Sequence, residues 1–326
     1  MFNMIRYLSK IICFFGFLTL LLQIEYSSLQ AQEYEVPKNE FRATWIATVI
    51  NLDWPESSGL PPRYKKEDLL NKFDRLKEAG INVIYFQIRT EGDALYDSPT
   101  EPWSKYLTSE EGRAPDPYWD PLTFAIEEAH KRGMELHAWL NPYRAMRSIP
   151  SDFSQKTILN QDIDPSLEVV LNREFDQESK MKVTGTSQRA ENHVSNTHPE
   201  WLLVMNNKIA IFDPGLQEAI EYNRDIVLDV VNRYDVDGIH FDDYFYPYPP
   251  NHMGSSAANE KLDDETFAKY PRGFTDKDDW RRANVDLLVE MIHDSILVVK
   301  PWVKFGISPF GIWKSGVPGG ISGMNA

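Results

Sequence analysis

Asp237-Gly238-Ile239-His240-Phe241-Asp242-Asp243-Tyr244-Phe245-Tyr246-Pro247 decides the fold. The stretch starts as an apolar strand and ends in carboxylates, aromatics and proline. Alternate side chains on a pleated strand face opposite ways, so Ile239 and Phe241 share one side while His240 and Asp242 share the other. The first side suits packing under helices. The second aims an imidazole and a carboxylate into whatever the strand encloses. Enzymes with α/β folds place their chemistry at the carboxyl ends of interior strands, which is where Asp242 stands.

Working outward, the same helix-then-strand unit recurs. A first strand over 41–49 is rich in β-branched and aromatic residues. Leu69, Leu70, Phe73 and Leu76 carry helical spacing to a stop at Gly80, followed by a strand over 82–89. A helix over 121–132 stops at Gly133 and feeds a strand over 135–141. A third helix, 216–233, leads into the opening stretch, and a fourth, 279–299, feeds a strand over 303–310. This is β(αβ)4, so the sheet should be parallel. Right-handed crossovers leave a barrel or a doubly wound sheet.

The strands favour the barrel. Ile84, Phe86 and Ile88 alternate with Tyr85, Gln87 and Arg89, and Leu136, Ala138 and Leu140 alternate with His137, Trp139 and Asn141. A doubly wound sheet, covered on both faces, would show near-continuous apolar strands. No Gly-rich dinucleotide fingerprint follows the first strand. The expected fold class is α/β, a (β/α)8 TIM barrel, truncated after about the fifth strand because a closed barrel needs about eight. Expected domains are 1–31 as a signal peptide, 32–40 as a linker and 41–326 as the barrel domain, C-terminally incomplete.

The net charge of −15 argues against nucleic acid, since phosphate binding needs clustered Lys and Arg. Arg6 and Lys10 precede an apolar run over 11–22 and a small-residue region over 27–31, the pattern of an export signal cleaved near Ala31. The run is short for a membrane span, which takes roughly 20 apolar residues. The mature chain should thus be periplasmic or secreted, without stable membrane association. The only cysteine, Cys13, lies in that run, so disulfide and thiolate chemistry are not expected.

Asp242 is the leading catalytic candidate, with a purely structural aspartate as the alternative. Asp243 joins it only if the strand is already turning there. His240, one pleat deeper, either tunes Asp242 or is a core histidine. A glycosidase pairs two carboxylates about 5 Å apart for retention or about 6.5–9.5 Å for inversion. Glu91, Asp93 and Asp213 are candidates for the second, as are strands beyond the chain. Arg89, Asp93, Trp139, Asn141, Tyr143, Arg144 and Tyr244 are candidate substrate contacts, with fixed donors for hydroxyls and carbonyls or rings for sugar faces. His137, His240 and Asp242 could form a metal cluster, but no His-x-His or HExxH pattern supports it. No metal or other cofactor is expected, and Gly-x-Ser-x-Gly does not occur.

Several motifs together resemble the glycosyl hydrolase-like 10 family, exported bacterial proteins with a TIM-barrel fold. They are Arg42-Ala43-Thr44-Trp45, Gln87-Ile88-Arg89 with Gly92-Asp93-Ala94-Leu95-Tyr96, Ala138-Trp139-Leu140-Asn141-Pro142-Tyr143-Arg144, His198-Pro199-Glu200-Trp201, Asp213-Pro214-Gly215, the opening stretch, and Gly306-Ile307-Ser308-Pro309-Phe310-Gly311-Ile312-Trp313. The resemblance implies O-glycosyl hydrolysis of a bacterial polysaccharide, and some members act on peptidoglycan glycan strands stripped of their peptides. A non-catalytic glycan-binding or scaffold protein on the same barrel is the alternative.

Overall fold

The computed structural model describes residues 40–149, 189–205, 209–242, 246 and 261–308. The export-signal pattern, Asp243 and Tyr244 lie outside the described residues. The chain divides into two units, Met1–Phe41 and Arg42–Ala326, and the sheet and its helices belong to the second.

Five parallel strands form the central sheet: β1 (Ala43–Ile46), β2 (Val83–Arg89), β3 (Glu135–Leu140), β7 (Gly238–Phe241) and β8 (Lys304–Ile307). The helices α1 (Pro62–Glu78), α2 (Pro121–Lys131), α3 (Gln217–Arg233) and α4 (Lys277–Val299) alternate with them. The helices begin and end where local chemistry dictates. Asp120 caps α2 by accepting from the Thr123 N–H at 2.9 Å, and Asp276 caps α4 by accepting from the Asp279 N–H at 2.9 Å. Gly80, at φ +80°, takes the left-handed turn that ends α1.

Strand order is sequential, β1-β2-β3-β7-β8, so each crossover steps one place in the same direction. A doubly wound sheet reverses at a switch point. These five strands show no reversal, which removes that alternative. Among the described residues β1 and β8 form the edges of the five-stranded sheet. The finding is a singly wound parallel α/β sheet. One element was not legible beforehand. The long β3–β7 connection contributes a three-stranded antiparallel sheet, ordered β4 (Arg144–Met146), β6 (Ile209–Phe212), β5 (Leu202–Met205).

The two faces differ as the alternation predicts. Ile84, Phe86, Leu136, Ala138, Ile239 and Phe241 are fully buried in one core with Leu69 and Phe73 of α1, Ala125 of α2 and Val230 of α3. On the opposite face, rings pack against rings. Trp45 lies 4.6 Å from Trp139 and 4.7 Å from His240, centroid to centroid, and Tyr85 lies 4.3 Å from His240. Gly238 serves this packing, since a Cβ there would sit 2.5 Å from Nδ1 of His137.

Arg89 breaks the alternation. The β2–β3 register shifts between Gln87 and Arg89: Gln87 pairs with Trp139, and Arg89 pairs with Leu140, the very next residue. A bulge of this kind re-aims the following side chain. Arg89 is therefore not on the ring-bearing face but fully buried, reaching Asn223 of α3. Its Nε and Nη2 donate to Glu101 at 2.8 and 2.6 Å, and Nη1 donates to Asn223 Oδ1 at 3.0 Å and to the carbonyls of Asn141 and Pro142 at 3.1 Å. Its expected role in contacting substrate is corrected to that of a core tie.

Arg89→Leu takes the cation from the buried Glu101 carboxylate and leaves it the Tyr222 hydroxyl at 3.2 Å, which costs about 3–5 kcal/mol. The melting temperature of the variant should fall by on the order of 10 °C. An unchanged melt accompanied by loss of substrate binding would return Arg89 to the site.

Candidate active site

Every parallel strand ends at the same rim, so the loops that follow them converge there. Leaving β1, the chain turns through Val49–Asn51 with Ile50 at φ 50° and Asn51 at φ 55°. Asn tolerates the left-handed region, but a β-branched Ile there is strained by about 1–3 kcal/mol. The turn is held from below. Gln87 Oε1 accepts from the N–H of Thr48 at 2.9 Å and of Val49 at 3.0 Å, and Thr48 Oγ1 donates to the Gln87 carbonyl at 2.9 Å. Asn51 Nδ2 also donates to the Tyr106 carbonyl at 2.8 Å.

The next link crosses to β3, where Gln87 Nε2 donates to Asn141 Oδ1 at 2.6 Å. Asn141 Nδ2 in turn donates to the Asp242 carbonyl at 3.2 Å. Asn141 is fully buried, so it bridges strands beneath the rim. Asp242 itself is half-buried just past β7, and its N–H donates to the Leu140 carbonyl at 3.3 Å. Burial raises its carboxyl above the usual aspartate range, with the Arg144 guanidinium pulling the other way. Arg144 opens β4, paired to Ile211 of β6, so the small sheet is what brings this cation toward Asp242.

His240 is buried, and its Nε2 meets Ser308 Oγ at 2.9 Å. Burial first, then the neighbouring His137, lowers it to about 4, so it is neutral at pH 7. Its described contacts run to Ser308 and the ring cluster rather than to the Asp242 carboxyl. Trp139 belongs to the same cluster, with an indole N–H that has no acceptor among the described residues.

Three further candidates turn out to be fully buried. Asp93 is fully buried and closes its own turn, accepting at 2.8–2.9 Å from the N–H groups of Thr90 and Glu91 and from the Thr90 hydroxyl. Tyr143 is sealed in the core at 1% exposure, against its expected place in the substrate cleft. Glu91 is clamped by the Tyr106 hydroxyl, the Arg147 N–H at 3.0 Å, Arg189 at 3.1 Å and Lys105 at 3.6 Å. Burial pushes its carboxyl up, but Lys105, the Arg147 N–H, Tyr106 and Arg189 outweigh that and hold it at about 2. A carboxylate so held is a poor proton donor.

Asp213 is different. It lines a cavity of about 320 Å³ between Leu202–Val204 of β5 and a short helix, Asp264–Lys269. Its Oδ1 accepts from the Gly215 N–H at 2.8 Å and its Oδ2 from the Thr266 hydroxyl. Burial raises its carboxyl to about 6 despite those two donors. No group of three or more His, Cys, Asp or Glu able to hold a metal occurs among the described residues. The sequence had placed Gln87 on the polar side without giving it a task. A carboxamide flanked by Phe86 and Ile88 in the middle of the strand was the available signal.

Residues 40–317 match the glycosyl hydrolase-like 10 family. The chain belongs to that family. It is 37% identical over 277 residues to glycosyl hydrolase YngK of Bacillus subtilis (strain 168), a match covering 85% of this chain and 46% of YngK. It is 36% identical over 281 residues to glycosyl hydrolase DigH of Escherichia coli (strain K12), covering 84% and 56%. The chain thus spans about half the length of the curated relatives it matches. Among solved structures, the α-L-fucosidase isoenzyme 2 from Paenibacillus thiaminolyticus superposes with a TM-score of 0.47 at 14% identity, over 85% of this chain and 33% of that one. That likeness is too slight to bear on function.

Asp213 binds its proton more tightly folded than unfolded, since its value rises from 3.8 to about 6. Stability from this group is therefore complete below pH 3.8 and is lost as pH rises through about 6. Asp213→Asn removes that loss while keeping an acceptor for Gly215. Relative to wild type, the variant should gain on the order of 3 kcal/mol between pH 4 and 7 in denaturant titrations. Parallel stability curves for the two proteins would show that Asp213 titrates normally.

Proposed function

We propose that the chain is the catalytic part of an exported glycoside hydrolase that cleaves O-glycosidic bonds of a bacterial polysaccharide. Peptide-free peptidoglycan glycan strands are the proposed substrate. The observation that carries this reading is the half-buried Asp242 carboxyl at the end of an interior parallel strand, raised by burial with the Arg144 charge opposing the rise. Membership of the family adds support. Export rests on the charge and hydropathy pattern of residues 1–31.

In this reading Asp242 is the general acid. A carboxyl raised by burial keeps its proton to higher pH than a free aspartate, and can hand it to the leaving glycosidic oxygen as the bond to the anomeric carbon breaks. Arg144 limits the rise through its charge. His240, neutral and committed to Ser308, supplies shape rather than a proton. Glu91 and Asp93 drop out as the second carboxylate because their oxygens are already engaged. Asp213 stays in contention for that role.

Asp242→Asn tests the reading with peptide-free peptidoglycan strands as the probe. Turnover should fall by about 10²–10⁴-fold, the usual share of a general acid, while strand binding measured by co-sedimentation is retained. In the wild type, kcat should decline as pH rises through the raised Asp242 value, because only the protonated form donates. Equal and absent turnover in both proteins, with binding intact, would instead make the chain a glycan-binding scaffold.

A further inference from the structure

An isolated carboxamide can be turned end for end with little penalty, but the two that cross this sheet cannot. Thr48 and Val49 offer backbone N–H groups, which only donate, so the oxygen of Gln87 must face them. Its nitrogen must then face Asn141, whose oxygen accepts. That leaves the nitrogen of Asn141 facing the Asp242 carbonyl, which only accepts. A donor-only group at one end and an acceptor-only group at the other fix both amides. Thr48, Gln87 and Asn141 are all fully buried, so water cannot stand in for a missing link.

At the far end of this chain of bonds the regular strand pairing runs out. The Asp242 N–H makes a long bond of 3.3 Å to Leu140, and regular β7 pairing has already ended at Phe241. The Asn141 amide is the described donor to the Asp242 carbonyl. The near end is the rigid turn that carries left-handed Ile50 and Asn51. We propose that Gln87 is a positioning residue for Asp242: it transmits the fixed orientation of the turn after β1, through Asn141, to the backbone that aims the acid. This rests on the glycosidase reading of Asp242, and it adds a residue two strands away that touches no substrate.

Gln87→Glu is the test, in the full chain. The carboxylate still accepts from Thr48 and Val49 but has no hydrogen to give Asn141. Asn141 then turns over and sets its oxygen against the Asp242 carbonyl. The side-chain amide resonances of Asn141, followed by NMR with ¹⁵N-asparagine labelling, should shift as its NH2 group turns from the Asp242 carbonyl to the new carboxylate. With peptide-free peptidoglycan strands, kcat should fall by up to about 100-fold, the effect of a misaimed group, with KM and the pH of the alkaline limb unchanged. Asn141→Asp cuts the last link and guards against a Gln87 variant that fails to fold. It should lower kcat by a similar factor while the Gln87 amide protons stay protected. Unchanged Asn141 side-chain amide resonances in Gln87→Glu, or a raised KM at constant kcat, overturns the relay alone. A wild type that hydrolyses no strands overturns the glycosidase reading and the relay with it.

Discussion

Where β1 leaves the sheet, the N–H groups of Thr48 and Val49 lose their strand partner, and a buried donor without an acceptor is costly. One oxygen of Gln87 meets both. The rest of the rim follows from that arrangement. The turn can close tightly enough to force Ile50 into the left-handed region, and Gln87 has its nitrogen free for β3. Asn141 has its nitrogen free for β7. The carboxyl ends of four elements are thus held by side-chain amides at the level where the main-chain ladder gives out.

A second network works one layer further out. The bulge at Arg89 takes a cation that pleat alternation would aim at the rim and buries it against Glu101 and Asn223. With its donors shared among Glu101, Asn223 and two carbonyls, it ties the loop after β2 to α3 and to the start of the β3–β7 connection. Glu91 does the same for the far side of that connection through Arg147 and Arg189. Charged groups that look like equipment for binding are here the fastenings of long loops. The cation left near the acid, Arg144, reaches it on a strand that has to pair with β6, more than sixty residues later.

This division explains what the sequence did and did not disclose. Helices α1 to α4 and their strands were legible because apolar spacing at 3.6 and at 2 marks them, and Gly80 and Gly133 punctuate them. Asp242 was legible as a carboxylate at a strand end. Arg89 was misjudged because one extra residue in β2 leaves no mark on the pattern of side chains. Asp93 was misjudged because an aspartate that closes its own turn has the same neighbours in sequence as one that faces a ligand. Tyr143 sits beside Arg144 in the chain, yet only the pairing with β6 decides that one is sealed and the other is not. The strands β4 to β6 span three or four residues each, too few for any period to declare itself.

The left-handed Ile50 carries one more implication. A spring compressed into a rigid frame does not relax by degrees. While the two bonds to Gln87 hold, the turn has a single shape, so the edge of the cleft beside β1 behaves as a stiff lip. Any adjustment at this rim must then come from elements other than the turn after β1.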